Sequence, residues 1–271
     1  MKFFDLIFPN NIYCIACGRP LPPGLDISLC ERCTEEIQWV SGRLCEKCGK
    51  PLADNNHKSI CHDCSETEHY FDKGYACALY NGHAANIIRD MKYRDKPAYG
   101  DVIAALMMAR LRAAANSDTG EMPAWDAVVS VPMYREKKEK RGYNQADVIA
   151  RGLAKRQGLP FRANIIQRNR DTGIMSKLSL EDRRQNLAGA FYISPASIKG
   201  LSGKSVLLVD DVYTTGSTAD ACAWTLHFAG CNTVDLITFA VGADAGQKSA
   251  QDIVQDAELF YNSADNPQIG L

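Results

Sequence analysis

Apolar and polar positions along this chain switch between two periods, and the switches mark out its elements. Short runs of consecutive apolar residues at 75–80, 127–131 and 206–209 read as strands buried on both faces, the second stopped by Pro132. Residues 233–241 form a further strand, and 161–167 are a candidate for another. Between them, apolar residues recur at helical spacing over 84–91, 100–115, 145–157 and 219–228, with Gly230 placed to stop the last. Asn81-Gly82 reads as a turn and 116–122 as a polar loop. Strands alternating with helices predict an α/β domain with a parallel sheet, its ligand at the carboxyl ends of the strands. Residues 169–186 show no period and are rich in charge and small residues, and a loop of that length in a compact domain tends to be functional. Beyond Gly242 the chain turns polar, with a short helix expected over 251–260 and a frayed, disordered end over 262–271.

Residues 1–70 follow neither period. Eight of the eleven cysteines stand there as four Cys-x-x-Cys pairs: Cys14/Cys17, Cys30/Cys33, Cys45/Cys48 and Cys61/Cys64. The last two pairs repeat the first two with a shift of 31 residues. The flanks repeat as well, Cys17-Gly18-Arg19-Pro20-Leu21 matching Cys48-Gly49-Lys50-Pro51-Leu52. Such a duplication makes each copy a structural unit. Four thiolates favour tetrahedral Zn²⁺ and leave no open position for catalysis. The expected zinc ligands are Cys14, Cys17, Cys30 and Cys33 in one ribbon, and Cys45, Cys48, Cys61 and Cys64 in the other. Spacing leaves an interleaved pairing open, while the duplication favours the sequential one. A disulfide scaffold is the rival, with an iron–sulfur cluster a less favoured alternative. Asp5 puts an acid near the start and Pro9 breaks the short apolar run, so the expectation is a cytoplasmic chain with reduced thiols and bound metal. A segment this short has too little apolar material for its own core, and metal supplies the folding energy. His57 and His62, near the second site, read as surface residues. Cys77, Cys222 and Cys231 read as small buried apolar ones.

The run that carries chemistry is 206–218. Its strand is followed by Asp210 and Asp211, then by a hydroxyl-rich turn of Thr214, Thr215, Gly216, Ser217 and Thr218, and at once by a helix. Loop N–H groups and hydroxyls, with the helix dipole behind them, can hold a phosphate. Two carboxylates can accept hydrogen bonds from vicinal hydroxyls, as on a ribose. The plain alternative is an acidic strand end that meets only water. A Walker loop would need G-x-x-x-x-G-K-[ST], which does not occur, and Gly216 lacks the companions of G-x-G-x-x-G.

Composition changes this picture little. The 271 residues allow one medium domain besides the cysteine module, and no apolar run reaches transmembrane length, so no membrane insertion is expected. Formal net charge is −1, but its distribution is uneven. Residues 1–70 carry seven Lys/Arg against ten Asp/Glu, which argues against a nucleic-acid face on the ribbons. Residues 132–170 carry eleven Lys/Arg against three Asp/Glu, an excess that faces a pyrophosphate, a polynucleotide or solvent.

The string from Val206 to Thr218 resembles the 5-phosphoribosyl 1-pyrophosphate (PRPP) signature of type I phosphoribosyltransferases. Further strings resemble one branch of them, the ComF family of competence-associated phosphoribosyltransferases. These are Ser130-Val131-Pro132 with Arg141-Gly142-Tyr143-Asn144-Gln145, Tyr80-x-Gly82 with Met91-Lys92-Tyr93, and the tandem Cys-x-x-Cys head. Arg168, Thr172, Arg183, Asn186 and Gly189-Ala190-Phe191 resemble that family's flexible-loop block. The resemblance covers the chain to about Gly242. It implies a type I phosphoribosyltransferase-like parallel sheet with flanking helices over 71–242, preceded by a small double zinc-ribbon module over 1–70 and followed by an extension over 243–271.

The resemblance also implies roles. Asp210 and Asp211 would hold the ribose 2′- and 3′-hydroxyls, and Thr214, Thr215, Gly216, Ser217 and Thr218 would wrap the 5′-phosphate. Mg²⁺ would bridge pyrophosphate and ribose oxygens. Lys92 and Arg141 are the candidates for the pyrophosphate, with Arg168 and Arg183 on a loop that closes over it. Lys92 facing water, and Asn144 capping the next helix, are the bland alternatives. Met175 stands where the family usually carries glutamine, and Gly173 where it usually carries proline. Two functions compete: phosphoribosyl transfer to an unknown acceptor with release of pyrophosphate, and a non-catalytic or PRPP-regulated accessory role in DNA uptake that engages single-stranded DNA or a helicase. A glutamine amidotransferase is not expected, since no cysteine follows Met1.

Overall fold

The computed structural model of the protein describes residues 12–53, 56–115, 121–169 and 189–243. Its elements in chain order are α1 (Glu31–Glu36), α2 (His62–Glu66), β1 (Gly74–Leu79), α3 (Gly82–Tyr93), α4 (Tyr99–Ala113), β2 (Ala127–Ser130), α5 (Arg135–Arg141) and α6 (Gln145–Gln157). The antiparallel pair β3 (Ile166–Arg168) and β4 (Phe191–Ile193) follows, then α7 (Pro195–Ile198), β5 (Ser205–Tyr213), α8 (Ser217–Phe228) and β6 (Thr233–Val241). The main sheet has the order β1-β6-β5-β2 and is parallel throughout.

The buried strands show why the sheet is covered on both sides. Successive residues of a strand face opposite ways. Val206 and Leu208 join one core with Cys222, Ala223 and Leu226 of α8. Leu207 and Val209 join the other with Ile87, Met107 and Leu153 of α3, α4 and α6. The expected parallel sheet with flanking helices is therefore present, and so is the metal-binding head before it.

That head is built into the layers. Cys14, Leu29, Cys33 and Ile37 of the first ribbon belong to the core on the α3 side. Cys45, Cys48, Leu52 and Cys61 of the second belong to the core on the α8 side. The segment joining them runs along the edge strand β1. Val40 N donates to Cys77 O and Leu79 N to Gln38 O, both at 2.8 Å, and Trp39 bridges Ala78 in antiparallel fashion. An open sheet edge is thereby covered.

Several elements differ from the sequence expectation. The strand expected to end at Val209 continues to Tyr213, because β6 pairs with it as far as Val241. Asp210 and Asp211 are thus part of the strand. Asn81-Gly82 is not a turn but the start of α3, with Asn81 as its N-cap. The strand expected over 161–167 is interrupted at Asn164, whose φ is 55°. Phe161 makes only one bridge to Val128, and pairing resumes at Ile166. Helix α5 has no apolar period to reveal it; its residues are all Arg, Glu or Lys, with Arg135 and Glu139 paired at 3.0 Å. Thr172, Gly173, Met175, Arg183, Asn186 and the extension beyond residue 243 lie outside the described residues. Among the described residues no helix is long and apolar enough to cross a membrane.

Gly18 and Gly49 occupy equivalent places in the two ribbons, with φ of 72° and 76°. A Cβ at Gly49 would stand 2.7 Å from the Gly74 carbonyl oxygen, whereas nothing lies within 4 Å of one at Gly18. Gly18→Ala should cost about 1–2 kcal/mol, the penalty for a left-handed L-residue. Gly49→Ala should cost clearly more, read from urea midpoints. Equal costs would mean that the second ribbon does not bear on β1 in this way.

Candidate functional site

The duplication persists at the level of single hydrogen bonds. Gly18 N donates to Cys14 O at 2.8 Å, and Gly49 N to Cys45 O at 2.9 Å. Cys30 N lies 3.5 Å from Cys14 Sγ, and Cys61 N lies 3.3 Å from Cys45 Sγ. The sulfurs gather as Cys14, Cys17, Cys30 and Cys33, and as Cys45, Cys48, Cys61 and Cys64, each set within 4.8 Å. The sequential pairing is the one present, and none of these cysteines is in a disulfide. Backbone N–H groups aimed at sulfur favour thiolate. Burial opposes ionisation of Cys14, yet the amides of Cys30, Cys17 and Ala16 bring its pKa down to about 7. These are two Cys₄ zinc sites, closed and structural, and neither set includes His57 or His62. Cys77, Cys222 and Cys231 are buried apart from them. Burial pushes the Cys77 thiol up to about 12 and Cys231 to about 11, as inert core residues require.

The sheet brings the acidic pair to its carboxyl end. Asp211 faces α3, where Lys92 Nζ lies 2.8 Å from Asp211 Oδ2. Burial works against the Lys92 ammonium, but the Asp211 charge and hydrogen bond, with Tyr80 and Asp210, together outweigh it and raise the Lys92 pKa. Lys92 therefore points into the site and does not merely face water. Asp210 sits on the α8 side. Its Oδ1 accepts from Asp211 N at 2.8 Å. Burial, and next the neighbouring Asp211 charge, push the Asp210 pKa up to about 8. A protonated Asp210 can both donate to and accept from a hydroxyl.

After Tyr213 the chain leaves the sheet. Thr214 and Thr215 are exposed, and Gly216, with φ of 81°, is the N-cap of α8. Ser217 and Thr218 are the first residues of that helix, and the Thr215 and Ser217 hydroxyls lie 3.1 Å apart. Only glycine fits at 216, since a Cβ would stand 2.7 Å from the Tyr213 hydroxyl. Thr214, Thr215, Ser217 and Thr218 place four hydroxyl side chains at the N-terminus of a 12-residue helix, where N–H groups lack helical acceptors.

The two strings 91–93 and 141–145 meet in space. Gln145 Nε2 donates to Met91 O at 3.4 Å, and the Tyr143 hydroxyl donates to the same oxygen. Arg141 lies over the Tyr93 ring at 5.6 Å and donates to Gln145 Oε1 at 2.7 Å. Asn144 caps α6 by accepting from Ala146 N at 3.2 Å, and it also donates to Val131 O at 2.9 Å. Gly142 ends α5, and no anion need be invoked for it. Beyond the carboxyl end of β2 lies a cavity of about 640 Å³, walled by α5 and the antiparallel β3–β4 pair. Arg135, Lys138, Arg168, Tyr134 and Tyr192 line it. Asp210 and Asp211 stand one strand away. Asp147 braces this wall, accepting from Ser130 Oγ at 2.7 Å, Lys138 Nζ at 3.0 Å and Asn144 Nδ2 at 3.0 Å.

Sequence reasoning missed the support beneath the turn. Lys50 Nζ donates to Thr214 O at 3.2 Å. His69 Nδ1 lies 2.8 Å from Asp220 Oδ2, and His69 Nε2 lies 3.3 Å from the Tyr213 hydroxyl. These residues are 144 to 164 positions apart in the chain, and no local pattern signals them.

Two measurements check the site as described. Metal analysis should return two zinc ions per chain, each in an all-sulfur shell by X-ray absorption; a count near one would leave one ribbon without its metal. Asp210 holds its proton more tightly folded than unfolded, so unfolding releases a proton between pH 3.8 and about 8, and stability falls as pH rises through that window. In Asp210→Asn this loss should shrink, seen as a flatter unfolding free energy from pH 5 to pH 8. Parallel profiles would place the carboxyl in ordinary solvent.

Residues 3–65 match the double zinc ribbon domain family. Competence protein F of Haemophilus influenzae is 31% identical over 169 residues, which cover 62% of this chain and 72% of that protein. The DNA utilization protein YhgH of Salmonella typhi is 32% identical over 150 residues, covering 55% of this chain and 63% of that one. Among solved structures, a PRPP amidotransferase from B. subtilis is 16% identical and matches with a TM-score of 0.34, over 82% of this chain and 46% of that chain. An adenine phosphoribosyltransferase from Thermoanaerobacter pseudethanolicus, also 16% identical, matches with a TM-score of 0.30 over 56% of this chain and 83% of that chain. By its cysteine head and by its likeness to competence protein F over most of that protein's length, the chain belongs to the ComF family of competence proteins.

Proposed function

We propose that the protein binds PRPP at the carboxyl end of β5 and transfers its phosphoribosyl group to an acceptor in the adjoining cavity, with release of pyrophosphate. One observation carries the reading: Asp210 and Asp211 stand in β5 near its carboxyl end, and an exposed hydroxyl turn leads from Tyr213 into the N-terminus of α8. Asp210 and Asp211 face the ribose hydroxyls, and Thr214, Thr215, Gly216, Ser217 and Thr218 take the 5′-phosphate. Mg²⁺, held mainly by substrate oxygens and water, neutralises pyrophosphate charge when bound.

In the transfer, the C1–oxygen bond to pyrophosphate breaks with its electron pair leaving on oxygen, and the acceptor's lone pair forms the new bond at C1. The protein's part is positioning and charge stabilisation. Arg141, 5.6 Å above the Tyr93 ring, presents a planar guanidinium suited to a bidentate phosphate contact. Lys92, held by Asp211, is the cation that would meet the pyrophosphate beside the ribose.

The accessory reading has its own support. Relatives carry names in competence and DNA utilization, and α5 presents Arg135, Lys137 and Lys140 to solvent beside the cavity. One assay separates the two. With Mg²⁺, PRPP and a panel of nucleobase, amine and nucleic-acid acceptors, pyrophosphate should be released. Asp211→Asn should weaken PRPP binding about ten- to hundredfold, the worth of a hydrogen bond to a charged group. PRPP bound tightly but never turned over would favour a PRPP-regulated accessory role, and no PRPP binding at all would remove the transfer reading and leave only a non-catalytic accessory role.

A further inference from the structure

The two ribbons share one plan, yet one residue differs sharply in its surroundings. Arg19 and Lys50 follow the glycine of each first Cys-x-x-Cys turn and make the same backbone contact, accepting from Cys14 N and Cys45 N. Arg19 is exposed, whereas Lys50 is 1% exposed and among the largest fully buried side chains in the protein. A buried ammonium must be held by partners. Asp63 Oδ2 lies 2.5 Å from Lys50 Nζ, and Thr214 O accepts from it at 3.2 Å. The Tyr213 ring lies 5.5 Å below the same ammonium. The duplication sets Arg32 opposite Asp63, so the first ribbon has no such acid; Arg32 instead pairs with Glu36 at the surface.

The contact falls on the first residue of the turn that leaves β5. A second brace meets the turn from the segment just after the ribbon. Asp220 of α8 accepts from Tyr70 N at 3.1 Å and faces His69 Nδ1, while the Tyr213 hydroxyl reaches His69 Nε2. Gly216 packs against that Tyr213 hydroxyl. The turn is therefore gripped from below by the second ribbon and its exit segment, which leaves Thr214 and Thr215 facing out.

We propose that Lys50 is a positioning residue for the anion-binding turn, and that the second ribbon, not the first, holds that turn in the shape that takes a phosphate. The proposal rests on the reading of residues 214–218 as the phosphate loop, and it assigns the second Cys₄ unit a duty beyond folding. Thr214 O, tied to Lys50, is turned toward the protein interior, which keeps a carbonyl dipole away from an incoming anion.

The test pairs a ligand-free readout with a binding one. Lys50→Met/Asp63→Leu replaces the ion pair by apolar groups, a change that buried pairs often tolerate. Hydrogen exchange of amides 214–219, without ligand, should speed up about tenfold, the worth of one charged hydrogen bond. Exchange in β2 should stay unchanged, and zinc should stay at two per chain. The calorimetric Kd for PRPP should rise about tenfold, while Arg19→Met should change neither quantity. Lys50→Met alone serves the same comparison if the double variant loses zinc, since Asp63 can then turn to solvent. Unchanged turn exchange in a folded, two-zinc variant overturns the proposal. Faster exchange in a protein whose wild type does not bind PRPP keeps the strut and removes the sugar-phosphate reading.

Discussion

Side chains on a strand face alternate sides, and β5 is the strand on which both halves of this molecule meet. Val206 and Leu208 enter the core beneath α8, and Leu207 and Val209 enter the one beneath α3, α4 and α6. Carried two residues further, the alternation parts the carboxylates. Asp211 meets Lys92 on α3, while Asp210 stays on the side of α8, where its charge helps burial to raise the Cys222 thiol. Neighbouring acids thereby acquire unlike surroundings, one against an ammonium and one protonated up to about pH 8. A strand end can then carry two carboxyl groups without two unscreened charges side by side.

The same two-sidedness explains the cysteine head. A short segment with little apolar material cannot make a core alone, and here it does not try. Each ribbon lends its cysteines and a few aliphatic residues to one face of the sheet, and the linker between them covers the edge of β1. Metal fixes each knuckle, and the sheet supplies the apolar partner. The head is therefore part of the domain's packing, since its removal would uncover both cores and one sheet edge.

How much of this was legible follows from where the information lies. The strand over 233–241 and the helix over 145–157 carry strong local periods, and both stand in the structure at those bounds. The cysteine pairing was legible because the 31-residue shift repeats ligands and flanks together. Helix α5 was not, since seven charged residues carry no period and a single i,i+4 pair leaves no mark in hydropathy. Nor was the end of β5, which β6 extends by pairing rather than by any propensity of Asp210 or Asp211. Lys50 shows in the sequence only as part of the repeated flank, because its burial is decided by Asp63, 13 residues on, and by Thr214, 164 residues on.

Duplication offers a physical route to that last asymmetry. Four thiolates and a metal define each ribbon, so the residues between them are free to diverge without loss of the unit. The two faces of the sheet then impose different demands. On the α3 side, the first ribbon meets a helix that starts beside it: Glu36 pairs with His83 at 2.7 Å and Gln38 with Asn81 at 2.8 Å, all partly exposed. On the α8 side, the second ribbon meets the turn that leaves β5, where the Thr214 carbonyl takes its donor from the buried Lys50 ammonium. A long cation with a nearby acid answers that need, and an exposed arginine answers the other. The copies thus keep one metal geometry and differ in which part of the β5 site they support, the helix that carries Lys92 or the turn that follows Asp211.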